Sequence, residues 1–94
     1  MQETFGIAAF RSRQQVMRFD SALRRAGIST QIISTPREVS IGCGLSVRFD
    51  VRDARAVADV YRRAQPGNLI GFYQVSWQGG ARPQIQPQIG RAHV

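Results

Sequence analysis

The one cysteine of this 94-residue chain, Cys43, stands between Gly42 and Gly44 in the segment Thr35-Pro36-Arg37-Glu38-Val39-Ser40-Ile41-Gly42-Cys43-Gly44-Leu45. Glycine flanks remove side-chain bulk from around a sulfur and leave neighbouring amides free to approach an anion. If the segment folds back on itself, the guanidinium of Arg37 stabilises a thiolate and draws the thiol's pKa toward neutrality, the condition under which cysteine becomes a good nucleophile. The same spacing carries a second reading. Cys43 keeps step with Leu45, Val47 and Phe49, alternate residues of a strand pattern, and a buried cysteine behaves as a small apolar side chain. Periodicity leaves a reactive thiol and a core thiol both open.

Other chemistries find little to work with. The only histidine, His93, is next to last in the chain, so a serine or cysteine triad would need the tail folded back into the domain. Gly42-Cys43-Gly44 precedes a strand pattern where a phosphate-cradling loop would open a helix, so no nucleotide cofactor is expected. The six acids form no spaced cluster for a hard cation, and Asp50 and Asp53 read as helix caps; no metal is expected. A lone cysteine makes no internal disulfide, which favours a reducing, cytoplasmic setting. The amino-terminal MQETFGIAAF lacks the positive charge of a secretory leader, and no apolar run approaches the ~18 residues of a membrane span.

Thirteen basic residues against six acidic ones give a formal charge of +7, and every basic residue is an arginine. The planar guanidinium fork suits phosphate and carboxylate, so RNA or an acidic protein is a candidate partner. Well-spaced arginines also form an ordinary solvated face, and charge without a motif is a weak footprint of nucleic-acid binding.

The elements that must position Cys43 follow from hydrophobic period. Thr4 to Phe10 alternates Phe5, Ile7 and Ala9 with other small or apolar residues, the pattern of a central strand. Ser12 followed by Gln15 forms a capping box, and Val16, Phe19, Ala22, Leu23 and Ala26 place an apolar stripe on the helix that follows, with Asp20 and Arg24 away from it. Gly27 closes that helix in the left-handed conformation, with Arg24 and Arg25 at its negative end. A second strand spans Ile28 to Ser34 and stops at Pro36. Leu45, Val47 and Phe49 alternate with Ser46 and Arg48, giving a third strand with a polar outer face. Asp50 or Asp53 starts a second helix running to Ala64 with Ala54, Val57, Ala58, Tyr61 and Ala64 as its stripe; Gln65 to Asn68 stops it, and a fourth strand covers Leu69 to Trp77.

The order βαββαβ with helices long enough for right-handed crossovers predicts a ferredoxin-like α/β sandwich: a four-stranded antiparallel sheet, two helices on one face and the other face open. Phe72 and Trp77 are expected on or near that open face, as core, dimer contact or base-stacking platform, although LSVRF lacks the aromatic motif of an RNA-recognition module. Residues 1–78 form the domain. Residues 79–94, rich in glycine, proline and glutamine, form an extended tail, disordered or an interaction arm, with Ile85 and Ile89 able to pack on a partner or a sheet edge.

The stretch ISTQIISTPREVSIGCGLSVRF, preceded by ALRRAGI, resembles the small bacterial family of selenium/sulfur carrier-like proteins. The family pattern is a strand into Pro-Arg, a short polar loop with serine, then Gly-Cys-Gly-Leu entering a strand. Pro36, Arg37, Ser40, Gly42, Cys43, Gly44 and Leu45 match it; Ile41 departs from it, standing where a small or polar residue is usual. The resemblance runs from about Phe5 to Phe72. It implies a carrier more than a turnover enzyme: Cys43 accepts sulfur or selenium from a donor protein and hands it to an acceptor as a persulfide or selenide. Arg37 stabilises the thiolate, Gly42 and Gly44 supply access and backbone amides, and Ser40 completes the set. The competing expectation is a basic binding module without chemistry, gripping RNA or an acidic protein. Self-association through the sheet face or the tail is a further expectation.

Overall fold

A computed structural model describes residues 3–39, 44–77 and 83–87. Strands β1 (Glu3–Phe10), β2 (Thr30–Ser34), β3 (Leu45–Phe49), β4 (Leu69–Trp77) and β5 (Gln84–Pro87) and helices α1 (Arg13–Arg25) and α2 (Ala54–Ala64) form an α+β fold, with a short 3-10 turn, Val51–Asp53, leading into α2. All strands pair antiparallel in one sheet of order β2-β3-β1-β4-β5. The central place of β1 follows from its composition. Its last six residues are buried, and only a strand flanked on both edges and covered on both faces accommodates so long an apolar run.

The helix boundaries obey local chemistry. Ser12 caps α1, its hydroxyl accepting from the Gln15 amide at 3.3 Å, and Gly27 at φ +84° reverses the chain after it. Of the two aspartates that could start the second helix, Asp50 makes the cap: its Oδ1 accepts from the Arg52 amide at 2.9 Å, whereas Asp53 precedes α2 without a side-chain bond. Gln65 in the left-handed region ends α2. Among the described residues no helix is long and apolar enough to cross a membrane.

Both helices cover the face of the sheet that carries Ala8, Phe10, Val47, Phe49 and Phe72. Phe10, Phe19, Tyr61 and Phe72 meet there edge to face or tilted, with ring centroids 5.3 to 6.5 Å apart, a geometry that aligns ring edges with ring faces. Gly6 shares this face because the Phe49 ring lies on it; a Cβ would overlap the ring. Phe72 is therefore core under the helices and cannot serve an exposed platform. Register decides this, for Phe72 stands opposite Ala8.

The other face departs from expectation in three ways. It is not open: Phe5, Ile7 and Val75 form a second buried cluster, covered by Val39 from the β2–β3 connection and by Ile85 from β5. Nor is the sheet four-stranded, since Gln84–Pro87, read as part of a tail, pairs with Tyr73–Ser76 of β4. Repeated glutamine and proline carry no strand period, and of the places the sequence offered Ile85, a partner or a sheet edge, it takes the edge. The outer face of β3 is only partly polar. Ser46 is fully buried there, while Arg48 lies over the Phe5 ring, 3.9 Å from its centroid, and pairs with Glu3 at 2.8 Å. Trp77 at the end of β4 is 39% exposed.

Two smaller corrections concern α1 and β2. Asp20 is buried, accepting from Thr30 Oγ1 and from Arg24 Nε, the latter at 2.9 Å, and so ties α1 to the start of β2. That strand begins at Thr30, because Ile28 is buried in the turn and packs into the helix-side core.

Candidate functional site

The connection between β2 and β3 is clamped at its base. The Thr35 amide donates to the Gly44 carbonyl at 3.0 Å, extending the β2–β3 ladder beyond Ser34 and Leu45. Directly beside this bond, the hydroxyls of Thr35 and Ser46 lie 2.7 Å apart in a buried pair, so neither polar atom is left unsatisfied. Gly44 closes tightly against Thr35, since a Cβ would stand 3.3 Å from Thr35 Oγ1 and 3.7 Å from the Phe10 carbonyl. Past the clamp the chain turns, with the Val39 amide donating to the Pro36 carbonyl at 2.9 Å, and Val39 drops onto the second sheet face.

Of the residues the sequence singled out, Arg37 and Gly44 fall among the described residues; Ser40, Gly42 and Cys43 lie outside them, as do Ile89 and His93. Arg37 is exposed on the turn and forms no ion pair among the described residues. Gly44 has a structural task beyond the access proposed for it, because its lack of a Cβ lets Thr35 close the loop base. Thr35 itself escaped sequence reading, its spacing to Ser46 having no local signature. Arg11 escaped as well. Its amide donates to Asn68 at 2.9 Å, and the preceding Phe10 pairs with Leu45, so the β1–α1 turn reaches the sheet end from which the β2–β3 connection departs.

The displaced titrations belong elsewhere. The Arg52 side chain holds the Asp50 carboxyl below the usual range, and Asp50 in turn raises Arg52; both are exposed at the far end of β3 from Gly44. Among the described residues no group of three or more histidine, cysteine, aspartate or glutamate side chains could hold a metal ion.

The model of the family described as "Putative Se/S carrier protein-like" matches residues 5–69. The chain belongs to the Se/S carrier-like family. Comparison with curated proteins and with solved structures returned no match. The family match takes in β1 from Phe5, both helices and the whole β2–β3 connection, and it ends at the first residue of β4. Most of β4 and all of β5 lie beyond it. Membership in a carrier-like family implies a donor and an acceptor among the chain's partners.

Proposed function

We propose that the chain carries sulfur or selenium on Cys43. The observation that carries this reading is the family match over residues 5–69, which includes the Gly42-Cys43-Gly44 segment and the clamp at its base. The Cys43 thiolate attacks the terminal sulfur of a donor protein's persulfide. The donor's sulfur–sulfur bond breaks, its thiolate leaves with the bonding pair, and a persulfide forms on Cys43 with no net oxidation or reduction. A donor carrying selenium as its terminal atom reacts in the same way. Delivery to the acceptor repeats the exchange, so the protein is a carried intermediate rather than a turnover catalyst.

The chain's own residues supply three conditions. The Thr35–Gly44 bond and the Thr35–Ser46 hydroxyl pair fasten the base of the connection that contains Cys43, the kind of support a positioned thiol needs. Exposed Arg37, with Arg11 arriving at the same sheet end, provides the positive field that favours a thiolate. Beneath them, β2-β3-β1-β4 with its two helices on one face reads as a ferredoxin-like frame to which β5 is added. A cytoplasmic setting suits such an exchange, because a reducing compartment keeps the resting thiol free.

The test is loading. Incubated with a persulfide donor and analysed by intact mass under non-reducing conditions, the native chain gains one sulfur or selenium atom that reductant removes. Cys43→Ser keeps the fold and gains nothing. A reductant-labile adduct that survives this substitution would falsify the carrier reading.

A further inference from the structure

A groove of about 670 Å³ runs along α1 and is walled on its far side by the end of α2 and the turn after it. Its α1 wall repeats every three or four residues, through Gln14, Met17 with Arg18, Ser21 with Ala22, and Arg25, which is one continuous helical stripe. This stripe shares Ala22 with the core-facing side, and its other residues are exposed. The groove's lining includes four small residues, Ser21, Ala22, Ala64 and Gly67, which let another backbone approach closely.

The lining holds two arginines and no acid. Arg18 and Arg25 are exposed and form no ion pair among the described residues, although Arg24 between them is tied to Asp20. The carbonyl end of α2 opens on the opposite wall, and its negative dipole is offset by Arg62 and Arg63 in the last turn. Arg25 stands seven positions after Arg18, about 10 Å along the axis at ~1.5 Å per residue. Met17, 49% exposed, stands beside Arg18 as an adaptable apolar contact.

We infer that this groove docks an acidic amphipathic helix of a partner protein. Carboxylates seven residues apart on that helix meet Arg18 and Arg25, and its small or apolar side chains lie on Met17 and the small lining residues. The same groove on a second copy is a poor occupant, since it would set arginine against arginine with no acid between them. A nucleic-acid strand is disfavoured because no exposed aromatic lines the groove; Phe19, its one ring, is 1% exposed and offers no stacking face. The inference is independent of the thiol reading, and Cys43→Ser serves as a test background.

The experiment uses a synthetic helical peptide with glutamates seven residues apart flanking leucine and alanine. Its positional isomer, of equal composition but with the glutamates on the leucine face, and an oligouridylate of matched charge are the comparators. Binding is followed through backbone amide shifts. The expected result is that the designed peptide shifts the amides of Met17, Arg18, Arg25 and Gly67 and binds more tightly than its isomer. R18E/R25E should weaken it about tenfold or more, with R18Q/R25Q intermediate, whereas R55E, on α2 away from the groove, changes affinity by no more than about twofold. Circular dichroism confirms that each variant is folded. No peptide binding, equal binding of the isomer, an equal loss in R55E, or tighter occupation of the same amides by oligouridylate each overturns the inference.

Discussion

The hydroxyls of Thr35, just past the end of β2, and of Ser46 on β3 lie 2.7 Å apart as a buried hydrogen-bonded pair, at the base of the connection that contains Cys43. A buried hydroxyl pair in an apolar sheet face is worth keeping only as a pair, because each oxygen alone would have lost water without replacement.

Thr35→Val tests this directly. It keeps the β-branched shape and strands the Ser46 hydroxyl, so unfolding in urea should show a loss of about 1–3 kcal/mol. Adding Ser46→Ala removes the orphan and should recover part of that loss, giving a coupling energy in the double-mutant cycle. Strict additivity of the two changes would mean that the hydroxyls do not depend on one another.

Gly6 supports the Phe49 ring and marks the packing limit of the helix-side core. Gly6→Ala drives a methyl into that ring, and should cost about 1–3 kcal/mol in a denaturant titration. Gly6→Ala combined with Phe49→Leu should regain stability relative to Gly6→Ala alone. If the single variant melts like the native chain, the ring moves aside freely and the contact is not limiting.

Arg37 is exposed and without an ion pair among the described residues, so its positive charge is available to a thiolate. The rate of Cys43 alkylation near pH 7 should fall several-fold in Arg37→Gln and less in Arg37→Lys, with denatured samples of all three reacting alike, since thiolate fraction sets the rate. A Cys43 that reacts only after unfolding would assign it to the core, the other reading its spacing allows.

Asp50 has a carboxyl held below the ordinary value of 3.8 by the hydrogen bonds from Arg52. A carboxylate whose folded pKa is depressed stabilises the fold fully above its unfolded value and loses that contribution as pH falls through the lower, folded one. The cap should therefore remain intact at pH 4 and be lost only in stronger acid. Carboxyl carbon shifts of Asp50 report the midpoint, which should rise toward 3.8 in Arg52→Ala; an unmoved midpoint would assign the depression to another cause.

Much of the frame is legible in local sequence. The capping serine of α1, the left-handed Gly27, the apolar stripe of Val16, Phe19 and Leu23, and the two-sided apolar run of β1 each follow from interactions within a turn or a strand. Local period decides them. Thr4 to Phe10 has so little polar character that its central position could be read before any pairing was known. The candidate site was legible only as a motif: Gly-Cys-Gly after Pro-Arg names the residues and says nothing of what holds them.

Tertiary structure decided the rest, because it depends on partners far apart in the chain. Phe72 is core because register sets it opposite Ala8 and beneath α1 and α2; a shift of one residue would turn it to the other face. Phe5, Ile7 and Val75 form a core cluster because Val39 and Ile85 pack on them from segments distant in the chain, and β5 exists because the β4 edge offers unpaired backbone to a glutamine-rich segment with no strand period of its own. Composition and spacing therefore name the thiol, the arginines and the strand–helix order. Long-range pairing determines which face is covered, which hydroxyls support the loop, and which arginines remain free to meet another molecule.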